Sequence, residues 1–234
     1  AVAAFCIVVA SPALVSSSCA TPKTEQEDTT IIREDSGITA LKYSSPEVPA
    51  SIEFCGKTID LSRFDRHERM DRELLAFTYM HSTSLQMLKK ANRYFPIVEP
   101  ILKENGIPDD FKYLMVIESN MNPTARSSAG AAGLWQFMQG TGRDYGLEVN
   151  NNVDERYHIE KATRAACRYL KDAYAKYKDW VAVAASYNAG QARIASQLAK
   201  QDVDDSLDLQ LVEETARYVY RILAAKQLFS APTT

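Results

Sequence analysis

Glu118 is a carboxylate in an apolar setting, and that placement is the first sign of chemistry in the chain. At 3.6 residues per turn Phe111, Leu114, Met115 and Glu118 fall on one stripe, with Tyr113 and Val116 turned away and Ile117 on the shoulder. A carboxylate on a packing face loses water, which disfavours its charged form and raises its pKa. A glutamic acid kept protonated near neutral pH can act as a general acid. Glu118 is therefore the candidate catalytic acid. The plain alternative is a Glu at a helix end that turns to solvent or pairs with Arg126.

The residues around Glu118 set its surroundings. Pro108 suits the first turn of a helix, and Asp109 and Asp110 would favour its positive end, so the helix is expected to start there. Ser119, Asn120 and Asn122-Pro123 should end it, leaving Glu118 near a helix C-terminus beside irregular chain. From Ser127 to Gly133 the side chains are small, which lets backbone approach a ligand closely. A run of this composition is equally a turn or a close helix contact, and it lacks the lysine and glycine spacing of a phosphate loop. Leu134 to Met138 is apolar again, with Gln136 the polar exception.

Two later stretches carry polar groups in apolar text. Ser186-Tyr187-Asn188-Ala189-Gly190 closes or bends a helix that begins at Trp180; read alone, Tyr187 is a core aromatic and Asn188 to Gly190 a C-cap. Glu214 and Tyr218 stand one turn apart on the last strong helix, although Glu213, Glu214, Arg217 and Arg221 would also suit a salt-bridged surface. An acid needs a leaving group to protonate. Gln136, Tyr187 and Asn188 offer amide and phenol groups suited to sugar hydroxyls and N-acetyl groups, and Tyr187 or Trp135 could give a sugar ring a flat apolar partner. Glycosidases usually use two carboxylates. Asp144, Glu148, Asp154 and Glu155 lie in plausible loops, but no motif or periodicity aims any of them at Glu118.

In order along the chain, Glu118-Ser119, Asn122-Pro123, Ala125, Ser127, Gly130-Ala131, Gly133-Leu134-Trp135-Gln136, Tyr187-Asn188-Ala189-Gly190 and Glu214-Thr215 with Tyr218-Val219 resemble the signature of the lytic transglycosylases of the soluble (family 1) type. The similarity runs from Phe95 to Leu228. Ser186 stands where the family motif has Ala, and Tyr157-His158 where many members have Asp-Pro. The resemblance implies an all-α, mainly helical, lysozyme-like domain with Glu118 catalytic and Ser127, Gln136, Tyr187, Asn188 and Tyr218 on the substrate. It also implies the reaction: one Glu protonates the bond between N-acetylmuramic acid and N-acetylglucosamine in peptidoglycan, then acts as base on the muramoyl 6-hydroxyl, giving a 1,6-anhydro end. No metal or organic cofactor is expected. A goose-type muramidase that delivers water, and a silent wall-binding scaffold, are the alternatives.

Other segments position this centre. Of 234 residues, 46% are hydrophobic, enough for a packed core, and a net charge of −3 gives no hint of a nucleic-acid partner. Residues 1–19 read as a signal or lipoprotein leader, apolar from Ala1 to Val15, with Cys19 the residue to be acylated in a periplasmic, outer-membrane lipoprotein. Ser16 makes that processing site a loose match; plain secretion and a retained anchor are the other readings. Residues 20–51 are polar and mixed in charge, a flexible tether. Residues 52–94 read as an extension: a small hairpin about Gly56, then helix from Arg63 to Arg93, broken near His81. The catalytic domain is expected over 95–229, with a fresh helix from Ile97 to Glu104, one from Glu160 with Ala162, Ala165, Ala166, Tyr169, Leu170, Ala173 and Tyr177 on its buried side, and a last one from Leu209 to Phe229 that buries Val212, Ala216, Val219, Ile222 and Leu223. His67 and His81 have no second ligand at helical spacing. Asp154-Glu155-Arg156 reads as structural. Cys167, among alanines, reads as a buried thiol, although an oxidising compartment would permit a bond to Cys55.

Overall fold

The computed structural model describes residues 46–230. The leader, Cys19 and most of the tether lie outside the described residues. Two strands open this region, β1 (Ser51–Phe54) and β2 (Lys57–Asp60), paired antiparallel with Ile52 opposite Ile59. Cys55 and Gly56 form the two-residue turn, both at positive φ (53° and 81°), the primed geometry whose twist matches that of the flanking strands. The rest is all-α: eight helices among the described residues, α1 (Phe64–Tyr79), α2 (His81–Glu104), α3 (Phe111–Ser119), α4 (Gln139–Asp144), α5 (Ile159–Tyr177), α6 (Trp180–Ala189), α7 (Gln191–Lys200) and α8 (Glu213–Ser230).

Helix α3 is the axis of the core. Phe111, Leu114, Met115 and Val116 are fully buried, and Tyr113 and Ile117 nearly so. The expectation that Tyr113 and Val116 turn away is therefore wrong: α8 and α2 both pack on α3, and a helix apolar all round is buried all round. Its start also differs. Helix α3 begins at Phe111 because Pro108 and Asp109 form a turn whose carbonyls accept from the Phe111 and Lys112 amides. Asp110 instead pairs with Lys226 and accepts from the Cys55 amide, 2.7 Å in both cases, tying the hairpin to α3 and α8.

Helix α2 runs unbroken through Pro96 and Pro100, where a fresh helix was expected after Pro96. Two amide donors are missing, and packing on α5 and α3 outweighs that loss. The break before it falls at Met80, between α1 and α2. Val212 is exposed and precedes α8, and Ala216 is half-buried, whereas Val219, Ile222 and Leu223 are buried as expected, together with Thr215, Tyr218, Tyr220, Ala224 and Ala225. Cys55 and Cys167 are free thiols, Cys167 buried.

Between α3 and α5 the chain is mostly loop, and Arg156 organises it. This buried guanidinium donates through Nη1 to the Gly130 (2.8 Å) and Phe137 (2.9 Å) carbonyls, and through Nε and Nη2 to both Asp154 oxygens. Gly133, at φ +79°, passes so close that a Cβ there would lie 1.9 Å from the Arg156 carbonyl oxygen. Only glycine fits.

Candidate active site

Glu118 sits one residue before the end of α3. Asn120 and Met121 follow in the left-handed region (φ 49° and 59°), and the Asn120 amide closes the helix on the Val116 carbonyl at 2.9 Å. Asn tolerates that conformation, whereas a fully buried Met does not adopt it without packing to hold it. The chain thus leaves α3 sharply at Glu118. Its side chain is half-buried, and the Tyr218 hydroxyl, from α8, donates to Oε1. Arg126 is exposed and not its partner.

Burial dominates the titration of Glu118, raising its pKa to about 7. The Tyr218 hydrogen bond and the positive charge of Arg221 favour the anion and oppose that rise, while Glu214 adds to it. Tyr218 and Tyr187 are held well above the usual phenol range, first by burial and then by the Glu118 charge, so both stay protonated as donors.

The other candidate residues divide into those near Glu118 and those occupied elsewhere. The Tyr187 hydroxyl, at the end of α6, donates to the Trp135 carbonyl (2.8 Å), and its ring meets Tyr169 edge-on at 5.1 Å. Asn188 accepts from the Thr215 hydroxyl (2.9 Å) and faces Glu214 (3.4 Å), which links the end of α6 to α8. Gln136, at φ 48°, spends its amide donors on the Gly133 (2.8 Å) and Ala125 (3.2 Å) carbonyls, so that its side chain holds the loop and only its oxygen remains to meet a ligand. Ser127 lies in an exposed turn where its Oγ accepts from the Ala131 amide at 3.0 Å; no hydrogen bond joins it to the Glu118 cluster. Trp135 cannot offer a sugar a flat partner. It is fully buried, and its indole donates to Thr163 Oγ1 at 2.9 Å. Ser186 fits its departure from the motif by donating to the Val183 carbonyl (2.8 Å).

Residues 96–208 match the family model described as Transglycosylase SLT domain. This segment is similar to the SLT domain family, over just under half of the chain. Over 166 residues the chain is 30% identical to membrane-bound lytic murein transglycosylase D of Escherichia coli K12, an alignment covering 69% of this chain and 36% of that protein. Membrane-bound lytic murein transglycosylase C of Haemophilus ducreyi is 29% identical over 150 residues, 58% of this chain and 40% of the relative. The chain thus spans little more than a third of the length of these relatives. An X-ray structure of an inactive mutant of lytic transglycosylase Slt from Pseudomonas aeruginosa aligns with 74% of this chain and 35% of its own at 20% identity, with a TM-score of 0.49.

Beside this SLT domain, two groups at the site were not among the expected ones. Thr215 fixes Asn188, and Arg221 supplies the positive charge felt by Glu118. Thr215 adjoins Glu214 in the last motif, and Arg221 is one turn beyond Tyr218, so helical spacing from Tyr218 would have found both.

Proposed function

We propose that this chain is a peptidoglycan lytic transglycosylase in which Glu118 serves as acid and then as base. One observation carries the reading: a half-buried carboxyl group whose pKa is raised to about 7 by desolvation accepts a hydrogen bond from a phenol that stays protonated. Glu118 protonates the oxygen between N-acetylmuramic acid and N-acetylglucosamine as that bond breaks. Its carboxylate then takes the proton of the muramoyl 6-hydroxyl as that oxygen attacks its own anomeric carbon. The product is a 1,6-anhydro end, and Glu118 regains its proton. Attack from within the same sugar replaces positioning of a separate nucleophile.

In this reading Tyr218 steadies the carboxylate between the two transfers, while Asn188, Tyr187 and the Gln136 oxygen border the bound glycan. Ser127 would act only at the margin of the groove, through the loop it caps. The membrane-bound names of the relatives support an envelope location, and we assign residues 1–19 as leader, 20–51 as tether from an acylated Cys19, 52–94 as extension and 95–229 as the lysozyme-like catalytic domain.

Glu214 favours a second reading, hydrolysis of the goose-lysozyme kind, because its charge reaches Glu118 from across Asn188. Mass spectrometry of digested sacculi separates the two. Transglycosylation gives muropeptides lighter by one water than the hydrolytic products, from the wild type and not from Glu118→Gln. Reducing ends from the wild type would favour hydrolysis, and equal activity of both proteins would end the enzymatic reading.

A further inference from the structure

The SLT match ends at residue 208 and begins after α1, yet the hydroxyl on Glu118 comes from α8, which packs against both α3 and α1. What sets the rotation of α8 therefore sets the site. Glu73 of α1 is almost fully buried, and both its oxygens accept from one guanidinium: Arg217 Nε to Oε1 at 2.6 Å and Nη2 to Oε2 at 3.2 Å. Arg217 is the residue before Tyr218. On a helix the two point about 100° apart, so one can grip α1 while the next reaches α3. Around this fork, Arg72 pairs with Glu213 at 2.7 Å and the Arg69 guanidinium lies 6.0 Å over the Tyr220 ring.

Glu73 is buried while the Arg217 side chain is 36% exposed, and such a pair is a poor source of stability, since desolvation of the carboxylate offsets much of the attraction. Its two-point geometry is nonetheless specific. Apolar contacts between α1 and α8 would tolerate a small rotation, whereas a two-point fork does not. The Tyr218 oxygen stands at the end of a long side chain, and a small turn of α8 would swing it out of reach of Glu118.

We propose that Glu73 is a positioning residue for the active centre: through Arg217 it fixes the rotation of α8 and hence the hydrogen bond from Tyr218 to Glu118. The proposal rests on Glu118 as the acid, but its first test needs no substrate. The charged and titratable groups facing Glu118 are Tyr218, Arg221 and Glu214 from α8 and Tyr187 from α6, and Glu73→Gln alters none of them.

Carbon-13 NMR of labelled glutamate, assigned against Glu118→Gln, follows the Glu118 titration in each variant. Glu73→Gln is expected to move that midpoint upward by roughly half a pH unit, because a donor to the anion is misaligned. On sacculi, kcat falls about tenfold while KM stays within about twofold, the pattern of a lost transition-state interaction. In a Tyr218→Phe background the same substitution moves neither quantity. Arg217→Lys, which keeps the charge and loses the fork, gives a smaller change of the same sign and serves if Glu73→Gln does not fold. A folded Glu73→Gln with the wild-type midpoint and kcat, or an equal effect without the Tyr218 hydroxyl, overturns the proposal. An upward midpoint in a protein that cleaves no glycan would leave it standing and remove the enzymatic reading instead.

Discussion

Two opposed effects set the titration of Glu118, burial raising the pKa and the Tyr218 hydroxyl restraining the rise. A pKa near 7 means that kcat/KM for an acid-first reaction falls as pH climbs through 7, and Tyr218→Phe should move that limb upward, as a pH-rate profile would show. Glu118→Gln should lower the rate by about a thousandfold, the scale of a lost acid and base. Its stability effect has the opposite sign. Between pH 4.5 and 7 folded Glu118 binds a proton that the unfolded chain has released, so it costs the wild type stability progressively as pH rises through that window. Denaturant melts should therefore show Glu118→Gln more stable than the wild type above pH 7, by up to about 3 kcal/mol, with the gap closing below pH 4.5. A constant gap across pH would contradict the burial of this group. The helical stripe made Glu118 legible as a carboxylate on a packing face. Its donor was legible only through a resemblance, because no periodicity joins residues a hundred positions apart.

Helices with strong period were readable from the sequence, and those set by tertiary contacts were not. Ala162, Ala165, Ala166, Tyr169, Leu170 and Ala173 repeat along α5 and are buried as expected, while Tyr177, expected with them, is half-buried at the end of the helix. Helix α7 went unread although Ile194 and Leu198 mark its inner side, because only one residue of its ten is fully buried. The prolines of α2 and the early start expected for α3 are cases in which packing overrode local preference. Trp135 illustrates the same limit: a Trp beside a small-residue loop suggests a sugar platform until its indole is seen to be satisfied inside. The loop itself depends on Gly133 beneath Arg156. Gly133→Ala should cost roughly 2–4 kcal/mol and disturb Gln136 with it, since backbone and not a flexible side chain stands in the way. Thermal melting would test this, and a substitution without effect would mean that the loop can shift.

One hydrophobic core runs from Ile52 in the hairpin to Ala225 in α8, so residues outside the SLT match help to build the site within it. Arg66, buried on α1, binds Asp205 and Asp208 (2.8 and 3.1 Å), and Lys57 on β2 reaches the same Asp205 (3.0 Å). These pairs hold the hairpin and α1 to the segment that leads into α8. Removing residues 46–79 should expose the α1 face of α8 and lower the melting temperature by about 10 °C or more, or prevent folding, as calorimetry would show. An equally stable shortened chain would make that segment an appendage. The hairpin and α1 were legible as elements, but not their role, because the ion pairs joining α1 to α8 and to the segment before it span about 140 positions.

The origin of the attacking oxygen decides between transglycosylation and hydrolysis. Digesting sacculi with the wild-type protein in water enriched in oxygen-18 and weighing the released muropeptides measures this directly. Anhydro ends without the heavy isotope are expected from the proposed reaction; oxygen-18 at newly formed reducing ends would overturn it.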